Sequence, residues 1–280
     1  MDKSWLALMI GNSRLHWAWF DGDQLQSAWD SEHLPNSEPP KPPNLGGILK
    51  TASPFLECPL GVCIEGWEGA IERLREENLD ELAIVLASVV PAQTAIWQDY
   101  PQLQILTLAQ IPLQLSYPTL GIDRALALWG AGEVYGWPTL VIDSGTALTF
   151  TGGNTERQLV GGAILPGLSL QVRALADKTA ALPAIALLET LPKRWANDTQ
   201  EAIASGIIHT VLAGVVDFIQ AWWQEFPGSA VVMTGGDRVL LHQYLQDQYP
   251  ELAAQITVDP NLIFWGMRAC RTKPSSALSG

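Results

Sequence analysis

Thr139-Leu140-Val141-Ile142-Asp143-Ser144-Gly145-Thr146-Ala147-Leu148-Thr149-Phe150-Thr151 runs a short apolar strand into a glycine turn and out into a second strand. The same order stands at the amino terminus, where Trp5 to Met9 feeds Ile10-Gly11-Asn12-Ser13 and the alternating Leu15 to Phe20 follows. A further apolar run, Ala230 to Met233, ends on Thr234-Gly235-Gly236-Asp237. A turn of this kind is the backbone that nucleotide phosphates need. Glycine permits positive φ and close approach, and the adjoining hydroxyls and amides donate to phosphate oxygens. The recurrence of strand, glycine turn and strand near residues 10 and 145 predicts two related halves.

Outward from these turns the chain alternates strands and helices. Gln24 to Trp29 extends the opening into a meander, with Asp21-Gly22 as its turn dipeptide. Pro35 to Asn44 carries five prolines and reads as a surface loop. Mixed charges at helical spacing predict a helix over Ile71 to Asn78, and Leu82 to Val90 is a strand closing on Pro91. A helix is expected from Asp123 through Gly132, and a long one with an apolar face over Ala202 to Trp223. The pattern is α/β, divided as 1–118, 119–272 and a frayed tail at 273–280.

With 280 residues, 48% of them hydrophobic, the chain can bury one large core or two ordinary ones. A formal net charge of −13 argues against a nucleic-acid groove or an anionic membrane surface, either of which needs clustered Lys and Arg. The partner is expected to be small. Positive potential for an anionic one must come from placed groups such as Arg124, backbone amides, helix starts or a cation. Cys58, Cys63 and Cys270 are odd in number and lack zinc-site spacing. The amino terminus lacks a signal-peptide pattern and no apolar run approaches the ~20 residues of a membrane span, so a soluble cytoplasmic protein is expected.

Among candidate chemical groups, Gly121-Ile122-Asp123-Arg124 places a carboxylate beside a guanidinium at a helix start. Two readings stay open: Asp123 satisfies free helix amides, or it is a general base with Arg124 holding a substrate carboxylate. Asp143 can reach a cation from its strand end or close an Asx turn. Gly161-Gly162 and Pro166-Gly167 read as bends, and Thr199 as a helix cap. His16 is a solvated strand residue or a phosphate neighbour, while Trp17, Trp19 and the remaining tryptophans are expected in the core.

These segments, with Ser88-Val89-Val90-Pro91, Gly161-Gly162-Ala163-Ile164-Leu165-Pro166-Gly167, Leu182-Pro183 and Thr199 ahead of Gly206, resemble in order the type III pantothenate kinase family. That family belongs to the actin and sugar-kinase superfamily. The resemblance implies a duplicated ribonuclease H-like (actin-like ATPase) fold, two lobes with an ATP cleft between them. It implies ATP-dependent phosphorylation of pantothenate to 4′-phosphopantothenate, the first step of coenzyme A biosynthesis. Asp123 would accept the proton, and Tyr117, Gly121, Ile122, Arg124 and Thr199 would line the pantothenate pocket. Gly11, Asn12, Ser13, Arg14, His16 and Thr146 would contact ATP phosphates, and Gly235 and Gly236 would face the adenosine. Asp143 would bind the monovalent cation, K+ or NH4+, beside the Mg2+ that accompanies ATP. A homodimer is implied as well.

One departure from the family is serious. The family's first turn begins with an aspartate that positions magnesium, and here Met9 stands there. A thioether does not replace a carboxylate for a hard cation. Either ATP oxygens, water and Asp143 hold the magnesium, or the chain is a non-catalytic ligand-binding or regulatory homologue. A kinase of the same fold acting on another small alcohol also stays open.

Overall fold

The computed structural model describes residues 4–34, 82–115 and 117–271. The expected Pro35–Asn44 loop, the expected Ile71–Asn78 helix, Cys58, Cys63 and the tail from Lys273 lie outside the described residues. By backbone contacts the chain divides into two compact units: Met1–Ile111 with Gly121–Leu126 and Gly266–Gly280, and Pro112–Leu120 with Ala127–Trp265.

The first unit is built on β1 (Trp5–Ile10), β2 (Leu15–Asp21), β3 (Gln24–Ser31), β4 (Ala83–Ser88) and β5 (Leu103–Ile105), in the spatial order β3-β2-β1-β4-β5. The β1–β2 and β2–β3 pairs are antiparallel, and β1–β4 and β4–β5 are parallel. β1 is central and buried along its whole length, which is why its sequence is apolar without alternation. Leu6, Leu8 and Ile10 join Trp17, Trp19, Ile84, Leu86 and Trp97 in one core. Trp5 stacks on Phe20 with ring centroids 4.4 Å apart. A bulge between Trp19 and Phe20 shifts the β2–β3 register by one residue. Helix α1 (Pro91–Ala95) begins on proline, where no backbone donor is needed.

Helix α2 (Ile122–Tyr135) gives its first residues to the first unit and the rest to the second. The second unit carries β6 (Thr139–Ser144), β7 (Ala147–Gly153), β8 (Leu159–Pro166), α3 (Leu168–Lys178), α4 (Thr199–Glu225), β9 (Ala230–Thr234), α5 (Arg238–Gln248), α6 (Pro250–Ala253) and β10 (Ile256–Val258); α7 (Leu262–Cys270) follows, with its residues from Gly266 onward in the first unit. Its sheet runs β10-β9-β6-β7-β8, with β6–β7 and β7–β8 antiparallel and β6–β9 and β9–β10 parallel. That is the arrangement of the first sheet repeated. The fold is therefore α/β and duplicated, as the recurrent glycine turns predicted, and each sheet has the ribonuclease H-like order that the family resemblance implied.

The core of the second unit forms where Ile203, Ile207, Val211, Val215 and Ile219 of α4, spaced one turn apart, meet Leu140, Ile142, Leu148, Phe150, Val231 and Met233 of the sheet. Burying each such side chain contributes roughly 1.5–3 kcal/mol. Helix α4 corrects the expectation that no segment reaches membrane-spanning length: by length and composition it does, yet 56% of its most apolar window is buried inside the fold, as for a core helix. Its cap is Asp198, whose side chain accepts from the Glu201 N–H at 3.0 Å, so Thr199 is the first helical residue rather than the cap. Gly161 and Gly162 lie inside edge strand β8, where the β7–β8 register shifts by one residue opposite Gly152/Gly153, rather than in a turn. Trp195 is 86% exposed, against the expectation of a core tryptophan; Leu182, Ile185, Leu187 and Leu191 of the same irregular stretch pack against the core instead.

Candidate active site

In the second unit the glycine turns converge because β6 and β9 are parallel neighbours, with Asp143 opposite Thr234, so their carboxyl ends emerge together. The Asp237 N–H donates to the Ser144 carbonyl at 2.8 Å, and the Gly167 N–H donates to the Thr146 carbonyl at 3.0 Å. Gly235 has φ +93°, and a Cβ there would run into Asp143 Oδ1 and the Ser144 carbonyl oxygen. Asp143, Ser144, Gly145, Thr146, Gly167, Gly235 and Asp237 thus form one patch of backbone. Helices α3 and α5 both start from it, so it gathers the unsatisfied N–H groups and positive dipole ends of two helices. This suits an anion.

Beside that patch lies a cavity of about 360 Å³ lined by residues that include Ser169, Val172, Arg173, Leu187, Asp237 and Leu240. Its mixed apolar and polar wall suits a flat heterocycle with edge donors and acceptors. Burial pushes the Asp237 carboxyl above its ordinary range. The Tyr244 phenol is raised to about 12, first by its own burial and then by the negative charges of Asp237 and Glu189.

In the first unit the turn after β1 closes through the Gly11 N–H, which donates to the Arg14 carbonyl at 3.0 Å. His33 Nε2 lies 2.8 Å from the Gly11 carbonyl oxygen. His16 Nδ1 meets Asp30 Oδ1 at 2.7 Å, and the Arg14 guanidinium stands 3.8 Å from Asp30 Oδ2. Asn12 and Ser13 are exposed at the tip. Met9 is 1% exposed on β1. Two positions ahead of its glycine, it occupies the place that Asp143 occupies in the second unit.

Gly121 to Arg124 opens α2 and clusters with the first unit. The Gly121 carbonyl accepts the Ala125 N–H at 3.0 Å. Asp123 Oδ1 accepts the Arg124 N–H at 2.8 Å, and Arg124 is only 9% exposed. The amide-satisfying role of Asp123 is thus real and engages one carboxylate oxygen. Tyr117, half-buried, and Thr199, exposed at the start of α4, belong to the second unit.

The family model described as type III pantothenate kinase matches residues 66–221, more than half of the chain. A curated type III pantothenate kinase from Nostoc sp. is 47% identical over 277 residues, covering 96% of this chain and 94% of that protein. The chain belongs to the type III pantothenate kinase family. A second member, from Synechocystis sp., is 44% identical and covers 96% of this chain and 90% of its own length. Among solved structures, a protein from Campylobacter jejuni described as a Baf family transcriptional activator superposes with a TM-score of 0.58 at 18% identity, covering 95% of this chain and 96% of that one. That likeness concerns the fold alone.

For a type III pantothenate kinase the sequence pattern found the three glycine turns and missed the groups that brace them. Asp30 and His33 on and after β3, and the Asp237 amide, were not singled out. The only signal for Asp30 was the hairpin count, and the bulge at Trp19/Phe20 defeats it: counting back from Asp21 opposite Gln24 would set Trp29 across from His16, where Asp30 stands.

Proposed function

We propose that this protein transfers the γ-phosphoryl group of ATP to the primary hydroxyl of pantothenate, giving 4′-phosphopantothenate, the entry to coenzyme A. The convergence of the Asp143–Thr146 turn with Gly235 at the starts of two helices carries this reading, in a chain of the pantothenate kinase family. In phosphoryl transfer the protein chiefly aligns the acceptor and neutralises charge on the equatorial oxygens, which main-chain donors do without reorganisation. Gly11, Asn12, Ser13, Arg14, His16 and Thr146 would hold phosphate oxygens. Gly235 and Gly236 would face the adenosine, its base entering the cavity beside Asp237. Asp123 would accept the hydroxyl proton, and Arg124, Gly121, Ile122, Tyr117 and Thr199 would hold pantothenate. Arg124 offers a paired grip on its carboxylate.

Magnesium arrives with ATP and supplies charge neutralisation at the phosphates. The first turn does not suit it at Met9, a buried thioether. Asp143 suits a cation, either that magnesium or the monovalent ion, K+ or NH4+. A cytoplasmic homodimer completes the reading. The deciding experiment incubates purified protein with ATP, Mg2+, K+ and pantothenate and detects phosphopantothenate by mass. Product formation supports the kinase; its absence under every cation condition overturns it.

Met9 favours one second reading, a protein that keeps the ligand site without turnover. Calorimetric binding of pantothenate or nucleotide with no product would establish it, and a gain of activity in Met9→Asp would identify Met9 as the lesion.

A further inference from the structure

At the first glycine turn one row of residues crosses the sheet: Ala87 on β4, Met9 on β1, His16 on β2 and Asp30 on β3. The matching row in the second unit is Thr234 on β9, Asp143 on β6, Thr149 on β7 and Ile164 on β8. In the second unit the carboxylate stands on the central strand. In the first that position is apolar, and the carboxylate stands on the edge strand with an imidazole between it and the centre. Residues directly opposed across an antiparallel pair share a face, so His16 and Asp30 meet side by side. Their 2.7 Å contact engages Nδ1, and the Nε2 edge of the ring lies against Gly11, 3.2 Å from where a Cβ on that glycine would stand. A carboxylate on one imidazole nitrogen sets the tautomer and aims the other.

We propose that Asp30 is a positioning residue for the nucleotide phosphates, acting through His16, whose Nε2 it aims over the Gly11 turn. Arg14, 3.8 Å from the second Asp30 oxygen, is a cation drawn to the same anchor. His33 steadies the turn itself through the Gly11 carbonyl. The pair is partly exposed, 39% at His16 and 33% at Asp30, so its net contribution to folding is small and orientation is what it fixes. When His16 is protonated, Nε2–H is a charged donor to a phosphate oxygen. The groups facing His16 are Asp30 from β3, Arg14 from the turn and the uncharged Met9 from β1, with His33 beyond on Gly11.

This inference rests on reading Gly11 to His16 as a phosphate turn. Its test compares the wild type with Asp30→Asn, His16→Gln and the double variant, measuring ADP affinity by calorimetry, ATP KM and kcat with pantothenate, and Tm. Asp30→Asn should weaken ADP binding and raise ATP KM by about tenfold, the worth of one charge-assisted hydrogen bond. Turnover and Tm should stay close to wild type, and Asp30→Asn should add at most about twofold on top of His16→Gln, the signature of residues acting through one another. Unchanged ADP affinity in Asp30→Asn, or additive effects in the double variant, overturns the proposal while leaving the kinase reading intact. Asp30-dependent ADP binding without any phosphopantothenate product overturns the kinase reading and upholds the proposal. Absence of ADP binding to the wild type overturns both.

Discussion

The Asp237 main-chain N–H donates to the Ser144 carbonyl oxygen at 2.8 Å, fastening the turn after β9 onto the turn after β6. Two segments more than ninety residues apart in sequence thereby become one surface. Gly235 makes this contact possible, since it holds φ +93° and offers no side chain to collide with Asp143.

Gly235→Ala should accordingly both destabilise the protein and damage nucleotide binding. The left-handed conformation alone costs about 1–3 kcal/mol for a residue with a Cβ, and the collision with Asp143 and Ser144 adds to it. Urea denaturation and ATP KM check this; wild-type values in both would show that the turn has room to shift.

Asp123→Asn separates the two roles of that side chain. The amide oxygen can still accept the Arg124 N–H, so circular dichroism and Tm should stay near wild type. Loss of the base should lower kcat by about 10² or more. Near-normal turnover would remove Asp123 from proton transfer.

Asp237 gives a pH-dependent prediction. Its carboxyl is raised in the folded state by burial, so between the ordinary aspartate value of 3.8 and the folded value the native protein binds more protons than the unfolded chain. Its contribution to stability therefore falls as pH rises through that window. Asp237→Asn keeps the backbone bond to Ser144 and should raise Tm at pH 7, the gain vanishing below pH 3.8; Tm measured against pH for both proteins decides.

His209 is 9% exposed, with Nδ1 3.0 Å from Gln248 Oε1 and Nε2 2.9 Å from the Pro192 carbonyl oxygen. Together with Ser205 on the Arg194 carbonyl and Tyr244 on the Leu188 carbonyl, it ties the irregular stretch before α4 to the helices. His209→Ala should cost about 1–3 kcal/mol through the orphaned partners and speed proteolysis between residues 188 and 195. Unchanged cleavage would show that the other two bonds suffice.

Strands β1 to β4, β6, β7 and β9 and helices α2 and α4 were legible in the sequence because each is a local event, whereas β5, β8 and β10 were not read as strands. Trp5 to Ile10 and Thr139 to Ser144 are apolar runs stopped by glycine, and α4 repeats its apolar residues at helical spacing from Ile203 to Ile219. Boundaries were less legible where a neighbour decides them: Asp198 takes the cap from Thr199 because its side chain reaches the Glu201 N–H. Trp195 and Gly161 were misjudged for the same reason, since burial and strand pairing depend on what packs against a residue.

Apolar periodicity and glycine placement alone determined that this chain holds two copies of a strand, turn and strand unit, and the ordered motifs determined its family. Only tertiary structure decided which polar groups serve each turn. Asp143 reaches Gly235 through the pairing of β6 with β9, and Asp30 reaches His16 through a single-residue bulge in β2 and β3. Strand side chains alternate faces with a period of two, so a slip of one residue exchanges one facing partner for another, and no local pattern in the sequence records it.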